Sequence, residues 1–141
     1  MLVSDAMAKT ISTASPGDTL THVATLMKEE DCGFIPVVDG EELVGCITDR
    51  DIVVRAVADT RPEGVNDTAG HVMSRPVWTI QADAPLEDAA EEMARHEVRR
   101  LPVVNDRGHL EGVITFGNLE QALHAAGKAA ADATLGVTRG A

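Results

Sequence analysis

Apolar residues fall at Leu20, Val23, Ala24 and Met27, the i, i+3, i+4, i+7 spacing that lays one stripe along a helix. The preceding Ser15-Pro16-Gly17-Asp18 is turn chemistry ending in a residue able to cap that helix, and Lys28, Glu29 and Glu30 leave its far end wet. Cys32-Gly33 breaks the pattern. The unbroken run Phe34-Ile35-Pro36-Val37-Val38 then predicts a strand, Asp39-Gly40 a turn, and residues 43–48 the antiparallel partner. Residues 51–58 predict a closing helix that buries Ile52, Val53, Ala56 and Val57. At the start of the chain, Val3, Ala6 and Met7 behind Ser4 and Asp5 predict a short helix capped by those two polar residues, and residues 11–14 predict a short strand.

The pattern then starts again. Leu86, Ala89, Ala90 and Met93 repeat the helical stripe at one fixed offset, Val72-Met73 repeats Ala6-Met7, and Val77-Trp78-Thr79-Ile80 repeats the first short strand. Arg100-Leu101-Pro102-Val103-Val104 repeats the strand that contains Pro36, and Gly112-Val113-Ile114-Thr115-Phe116-Gly117-Asn118 repeats Gly45-Cys46-Ile47-Thr48-Asp49-Arg50-Asp51. A stripe reproduced at all four positions states a shared architecture. Half of a 141-residue chain is close to the lower limit for a unit that folds alone, so the halves are expected to share their packing. The predicted fold is α/β: two units, each a small mixed sheet with two packed helices, related by pseudo-twofold symmetry and packed sheet against sheet. The first unit spans 1–60, the turn-rich segment 61–68 is the linker, and the second unit spans 69–124. The Ala/Gly-rich tail 125–141 is expected to extend the last helix briefly and to end disordered.

Composition narrows the function. Two Phe, one Trp and no Tyr in the whole chain make the core aliphatic and stacking on bases a poor expectation. A formal net charge of −11 argues against a nucleic-acid partner, which needs a broad cationic surface. No apolar run is long enough to span a bilayer, and the start of the chain lacks the basic residues of a signal peptide, so no membrane partner is expected and the cytoplasm is the expected location. Cys32 and Cys46 then stay as thiols, with Cys46 inside an apolar run. Cys32, His71, His96 and His109 show no zinc-ligand spacing, so no metal is expected. The carboxylates Glu29, Glu30, Asp31, Glu91 and Glu92 lie on polar helix faces with no nucleophile or base beside them, and no catalytic residues are assigned.

The chemistry that remains sits at Thr48-Asp49-Arg50-Asp51, where a strand hands over to a helix. Backbone N–H groups there suit an anion, the Thr48 hydroxyl and Arg50 suit a phosphate, and Asp51 suits the two hydroxyls of a ribose. The same residues also suit plain helix capping, with Thr48 and Asp49 at the cap and Asp51 in the first turn. In the second half Thr115 is kept, but Asn118 stands for the Asp and Phe116-Gly117 for Asp49-Arg50. An amide accepts less strongly than a carboxylate and the motif has no counterpart of Arg50, so the second cleft is expected to be the weaker, with Phe116 able to fill it.

The ordered set of motifs, occurring twice from Val3 to about Leu123, resembles the cystathionine-β-synthase (CBS) domain, a family found mostly as tandem pairs. The resemblance implies a stand-alone regulatory module. It would bind an adenine-containing ligand, AMP, ADP, ATP or an adenosyl relative, and pass its occupancy to a regulated protein that the sequence does not identify. The resemblance places Ile11, Ser12 and Thr13 with Phe34, Ile35 and Pro36 around the base in the first cleft, beside Thr48, Asp49, Arg50 and Asp51. It places Val77, Trp78 and Thr79 with Arg100, Leu101 and Pro102 in the second, beside Thr115 and Asn118. Lys9 and Arg75 precede the two short strands, within reach of a phosphate or simply solvated. It also implies a homodimer that covers surplus apolar helix faces. The alternative is a ligand-free interaction or structural module acting in a stress response.

Overall fold

A computed structural model of the chain describes residues 1–75 and 77–138, with side-chain surroundings given through Gly127. The first half contains α1 (Val3–Ala6), α2 (Leu20–Glu30), the antiparallel hairpin β1 (Phe34–Asp39) and β2 (Glu42–Thr48), and α3 (Asp49–Asp51). A wider π-type helix, Ile52–Ala58, continues α3. After a 3-10 turn at Gly64–Asn66, the second half runs α4 (Ala69–Val72), β3 (Ile80–Gln81), α5 (Leu86–His96), β4 (Arg100–Val104), β5 (Leu110–Thr115) and α6 (Phe116–Thr138). β3 pairs with β4 in parallel and β4 with β5 antiparallel. The corresponding segment of the first half makes only one parallel bridge, Ala14 to Val37, so the strand expected at 11–14 is not formed.

The two helical stripes face inward as their spacing dictates: Leu20, Val23 and Met27 are buried, and so are Leu86, Ala89 and Met93. Ala90 is half-buried, but Ala24 is exposed, and Leu26 takes part in the packing instead. Alanine gains little from burial and fits either face of a helix, so the stripe tolerates this. Both helices end on a residue with positive φ, Asp31 at 51° and Glu97 at 54°, each in the left-handed cap position. Their starts differ from expectation. Thr19, not Asp18, caps α2, since the Asp18 carboxylate is taken by the Ser15 N–H inside the turn. In α1, Ser4 and Asp5 lie within the helix, and the Asp5 carboxylate accepts the Leu2 N–H at 2.8 Å.

Each half completes its core with a segment of the other. Val3 of α1 packs with Leu86, Leu101 and Ile114, whereas Ala69, Val72 and Met73, from α4 and its end, pack with Leu20, Ile35 and Ile47. The backbone shows the same exchange as matched pairs of hydrogen bonds. Ala8 and Val113 exchange two, at 2.9 and 3.0 Å, and Ser74 and Cys46 exchange two, at 2.7 and 3.3 Å. Val3 donates to the Ala84 carbonyl as Ala69 donates to that of Asp18, and Leu86 donates to Met1 as Leu20 donates to Asp67. Equivalent bonds made in both directions are the pseudo-twofold relation in atomic form. Glycine makes the exchange fit: a Cβ on Gly112 would lie 2.6 Å from the Ala8 carbonyl oxygen and 2.8 Å from Met7 Sδ, and one on Gly45 would collide with Met73.

Three further segments depart from the sequence reading. Val53 and Val57 were expected inside, yet they are 58% and 61% exposed, while Ala56 is buried. The π-type winding makes the difference: its hydrogen bonds skip five residues rather than four, so a stripe drawn at 3.6 residues per turn rotates off the core. The segment expected to be a polar linker holds Asp67, which is 2% exposed and bonds Arg61 Nη1 and His71 Nδ1, both at 2.8 Å. α6 runs through Thr138, well beyond the brief extension expected, and residues 139–141, where a disordered end was expected, lie outside the described residues.

Candidate functional site

Two clefts open where the halves meet, and Phe34 and Arg100 line both, with the Arg100 guanidinium 5.6 Å from the centre of the Phe34 ring. The larger has a volume of about 590 Å³, inside the roughly 300–1,000 Å³ range of small-molecule sites. It brings Thr48, Asp49, Arg50 and Asp51 of the first half together with Val77, Trp78, Arg100 and Pro102 of the second. The smaller, about 370 Å³, brings Ile11, Ser12, Ile35 and Pro36 of the first half together with Thr115 of the second.

The sequence reading had grouped these residues by half, and the structure groups them crosswise. The cause is the exchange of lead-in segments. Ser74 pairs with Cys46 on β2, so the chain that follows it, Val77 and Trp78, passes beside the motif at the end of β2. Ala8 pairs with Val113 on β5 and delivers Ile11 and Ser12 beside Thr115. Four expected residues reach neither cleft. Thr13 faces a shallow recess with Lys9 and His109, Thr79 a recess with Asp88 and Arg95, Leu101 is fully buried in the second core, and Asn118 is taken up in its cap with Thr115 without lining the smaller cleft. Phe116 does not plug a cleft; it is 39% exposed under the Arg99 guanidinium, 4.7 Å from its ring centre.

Thr48 ends β2 with extended backbone and opens α3 through a reciprocal cap. Its Oγ1 accepts the Asp51 N–H at 3.1 Å, and Asp51 Oδ2 accepts the Thr48 N–H at 2.9 Å. The capping reading of these residues is therefore realised. It leaves the Thr48 hydroxyl proton able to donate. The Ser74 hydroxyl reaches Asp51 Oδ1 at 3.2 Å, and Arg55 Nε stands 3.9 Å from the same oxygen. Arg55 also donates to the Val72 and Met73 carbonyls at 3.0 and 3.1 Å, which ties the π-type helix to the end of α4. Gly33 lets the Asp49 side chain approach: a Cβ there would lie 2.8 Å from Asp49 Oδ2. In the second half Asn118 reproduces the cap in neutral form, with Asn118 N–H to Thr115 Oγ1 at 3.0 Å and Thr115 N–H to Asn118 Oδ1 at 3.2 Å.

Several residues of the larger cleft lie outside the site residues read from the sequence. Ser74 and Cys46 enter through the exchanged pairing, and Arg99 and Glu97 through the approach to β4. A signal for one of them was present: Arg99-Arg100 is a pair of adjacent cations in a strongly acidic chain. Burial, reinforced by the Asp51 carboxylate and opposed by Arg55, pushes the Cys46 thiol up to about 11, so it lines the cleft as a neutral group. Trp78 is held flat against His96, with ring centres 3.9 Å apart and planes 4° from parallel, and His96 Nε2 is in turn 3.0 Å from Glu92 Oε2. The stacked indole stays 45% exposed and offers an apolar wall. Among the described residues no three His, Cys, Asp or Glu side chains converge to hold a metal ion, and no helix is long and apolar enough to cross a membrane.

Comparison with known proteins places this geometry. The family model of the CBS domain matches twice, over residues 3–57 and 69–125. A CBS domain-containing protein of Bacillus subtilis, YhcV, is 40% identical over 117 residues, which cover 83% of this chain and 81% of the relative. Hypoxic Response Protein I, solved with two coordinated zinc ions, aligns with a TM-score of 0.78 at 30% identity, over 86% of this chain and 98% of that one. The CBS domain pair of protein MJ0100, solved with 5′-methylthioadenosine and S-adenosyl-L-methionine, aligns with a TM-score of 0.77 at 26% identity, over 89% of this chain and 97% of that one. CBSX2, solved in complex with AMP, gives 0.77 at 26% identity, over 88% and 96%.

Proposed function

Because the chain belongs to the CBS-domain family, as a tandem pair, we propose that it is a regulatory module that binds an adenine nucleotide in the larger cleft and passes its occupancy to a partner protein. The observation that carries this reading is the company kept by the Thr48-to-Asp51 motif: a hydroxyl, a carboxylate and Arg50 at a helix start, joined by Arg99 and Arg100 and faced by Val77, Trp78 and Pro102. Apolar side chains suit the base, Asp51 the ribose, and Thr48 with the arginines the phosphate. The AMP complex of CBSX2 and the adenosyl ligands of the MJ0100 pair support an adenine-containing ligand. Occupancy has a structural route outward, since Asp51 lies 3.9 Å from Arg55, which grips the end of α4.

Calorimetric titration with AMP, ADP, ATP, NAD and S-adenosylmethionine tests the reading. Asp51→Ala removes a charge-assisted acceptor worth about 1.5–3 kcal/mol, so affinity for the best nucleotide falls roughly tenfold to a hundredfold. Asn118→Ala costs less, because it removes a neutral amide from the other side. Equal losses from both variants, or none from Asp51→Ala, defeat the assignment. The second reading, a ligand-free interaction module, is favoured by one fact: the Asp51 carboxylate already holds the Thr48 N–H and the Ser74 hydroxyl. Under that reading Asp51→Ala lowers the melting temperature and no nucleotide raises it. Self-association belongs to the same proposal, with Val53, Val54 and Val57 of the π-type helix exposed as the face a second copy would cover. A monomer by sedimentation at micromolar concentration removes that part.

A further inference from the structure

Trp78 lines the larger cleft, but the residue that fixes it does not. His96 stands behind the indole, stacked on it and outside the set of cleft residues. Its ring is aimed in turn by Glu92: one carboxylate oxygen lies 3.0 Å from His96 Nε2, and the other accepts from Arg95 Nη1 at 2.6 Å. The first half shows that this contact belongs to the fold while its chemistry belongs to one side. The offset that carries Leu20 to Leu86 also carries Ser12 to Trp78, Leu26 to Glu92 and Glu30 to His96. In the first half the two matching positions touch as well, Ser12 donating to Glu30 Oε1 at 2.9 Å, while Leu26 packs on the core. One unit closes the contact with a plain hydrogen bond. The other has an aromatic pair with a carboxylate at its edge, and only there is the group an imidazole, the side chain whose charge changes between about pH 5 and pH 8.

We propose that His96 is a positioning residue for the larger cleft, whose protonation locks the Trp78 indole so that the wall a ligand's ring meets is set by pH. The proposal rests on the nucleotide reading above for the ligand alone. An imidazolium lying flat on an indole gains the attraction of a cation for the negative face of the ring, and Glu92 gives that charge a partner. A neutral imidazole keeps the stack and loses both. A wall already locked need not be ordered when a base stacks on its open face, and ordering one side chain on binding costs about as much as that attraction supplies. The remaining charges gather on the cleft side of the indole: Glu97, Arg99 and Arg100 beside it, and Asp49, Arg50 and Asp51 across from it. Among the described residues none of these bonds the His96 ring, which leaves Glu92, with Arg95 on its second oxygen, to set the surroundings of the proton.

The single Trp of the chain reports on the lock directly, because a protonated imidazole in contact with an indole quenches its fluorescence. The full chain without ligand is expected to lose fluorescence between about pH 8 and about pH 5.5, across the imidazole range. His96→Phe keeps a planar ring but cannot take a proton, and is expected to show no such step. Glu92→Gln, a near-isosteric change at a side chain 25% exposed, is expected to shrink the step, and it decides the matter should His96→Phe not fold. AMP affinity is then titrated calorimetrically at both pH values and divided by that of His96→Phe at the same pH, so that the titration of the phosphate itself cancels. The ratio is expected to rise roughly twofold to fivefold at the lower pH, the scale of one exposed cation–aromatic contact, whereas a ring that only fills space gives the same ratio at both. The proposal is overturned if the free chain shows no step, if the step survives in His96→Phe or is unchanged in Glu92→Gln, or if AMP binds with a ratio that does not move. A step abolished by His96→Phe in a chain that binds no AMP removes the nucleotide reading and sustains the proton-set wall. AMP binding in a chain without the step does the reverse.

Discussion

Val3→Ala tests the exchange of lead-in segments directly, because the two ways of assigning residue 3 to a core predict different damage. The Val3 side chain is fully buried, and its neighbours belong to the second half: Leu86, Leu101 and Ile114 share its cluster. Truncation to alanine removes two methyl groups at about 0.8 kcal/mol each. α1 is bonded to the Ala84 and Ala82 carbonyls through Val3 and Ser4, so it cannot close up freely and a residual cavity adds to the loss. The expected total is about 2–3 kcal/mol, or roughly 6–12 °C in melting temperature for a chain of this length. Val53→Ala, a valine 58% exposed, is the matched control and is expected to stay within about 0.5 kcal/mol. Hydrogen exchange read by mass spectrometry locates the damage: protection should fall in α5, β4 and β5, more than a hundred residues from the substitution at the far end, and not in β1 and β2. Loss confined to the first hairpin, or a melting shift no larger than that of the control, refutes the exchanged arrangement.

Two further outcomes follow from other contacts. Gly112→Ala should cost about 2–3 kcal/mol, because the new Cβ meets the backbone oxygen of Ala8 at 2.6 Å; Gly45→Ala should cost less, because its obstacle is the flexible end of Met73, and thermal melts of the pair rank them. The Asp67 carboxyl is held below its ordinary value by the hydrogen bond from His71, then by that from the Thr68 N–H, with Arg61 adding to both against the opposing effect of burial. A depressed folded-state value gives stability that is present above the unfolded carboxylate range and is lost as pH falls through the folded value; melting temperature should therefore drop more steeply below about pH 4 in the wild type than in Asp67→Asn, and parallel curves would contradict the assignment.

The hairpins, α2 and α5 were legible because each has a periodicity that only one secondary structure satisfies, and because each pattern occurs twice. Leu20 and Leu86 fall inside for the same reason and at the same place in their helices. What the pattern could not say is against which half a buried face would pack. Val3 and Val72 read as core, yet nothing in their spacing marks them as core for the other unit, and from that single ambiguity came the regrouping of both clefts. Ser74 was missed because its mate in the repeat is Ala8, a residue with no chemistry to suggest a site. Val53 and Val57 misled because π-type winding departs from the period used to read them. Asp67 was hidden by its setting, since a carboxylate among Pro62, Gly64 and Asn66 looks solvated until Arg61 and His71 are seen to close over it.

The crossed lead-ins also set a timetable for folding. During synthesis, residues 1–8 have no partner until the 82–86 segment has been made, about eighty residues later, and are not fully held until β5 follows, while β2 lacks its second neighbour until Ser74 appears. The most separated contacts in the chain are thus among those that finish each core, a topology of high contact order in which loop closure precedes reward. Neither half can be released as an independent folded piece by a cut in the connecting segment alone, because such a cut leaves α1 and α4 still lodged in the opposite half. The duplication that wrote the same unit twice has produced a pair that must complete itself as one.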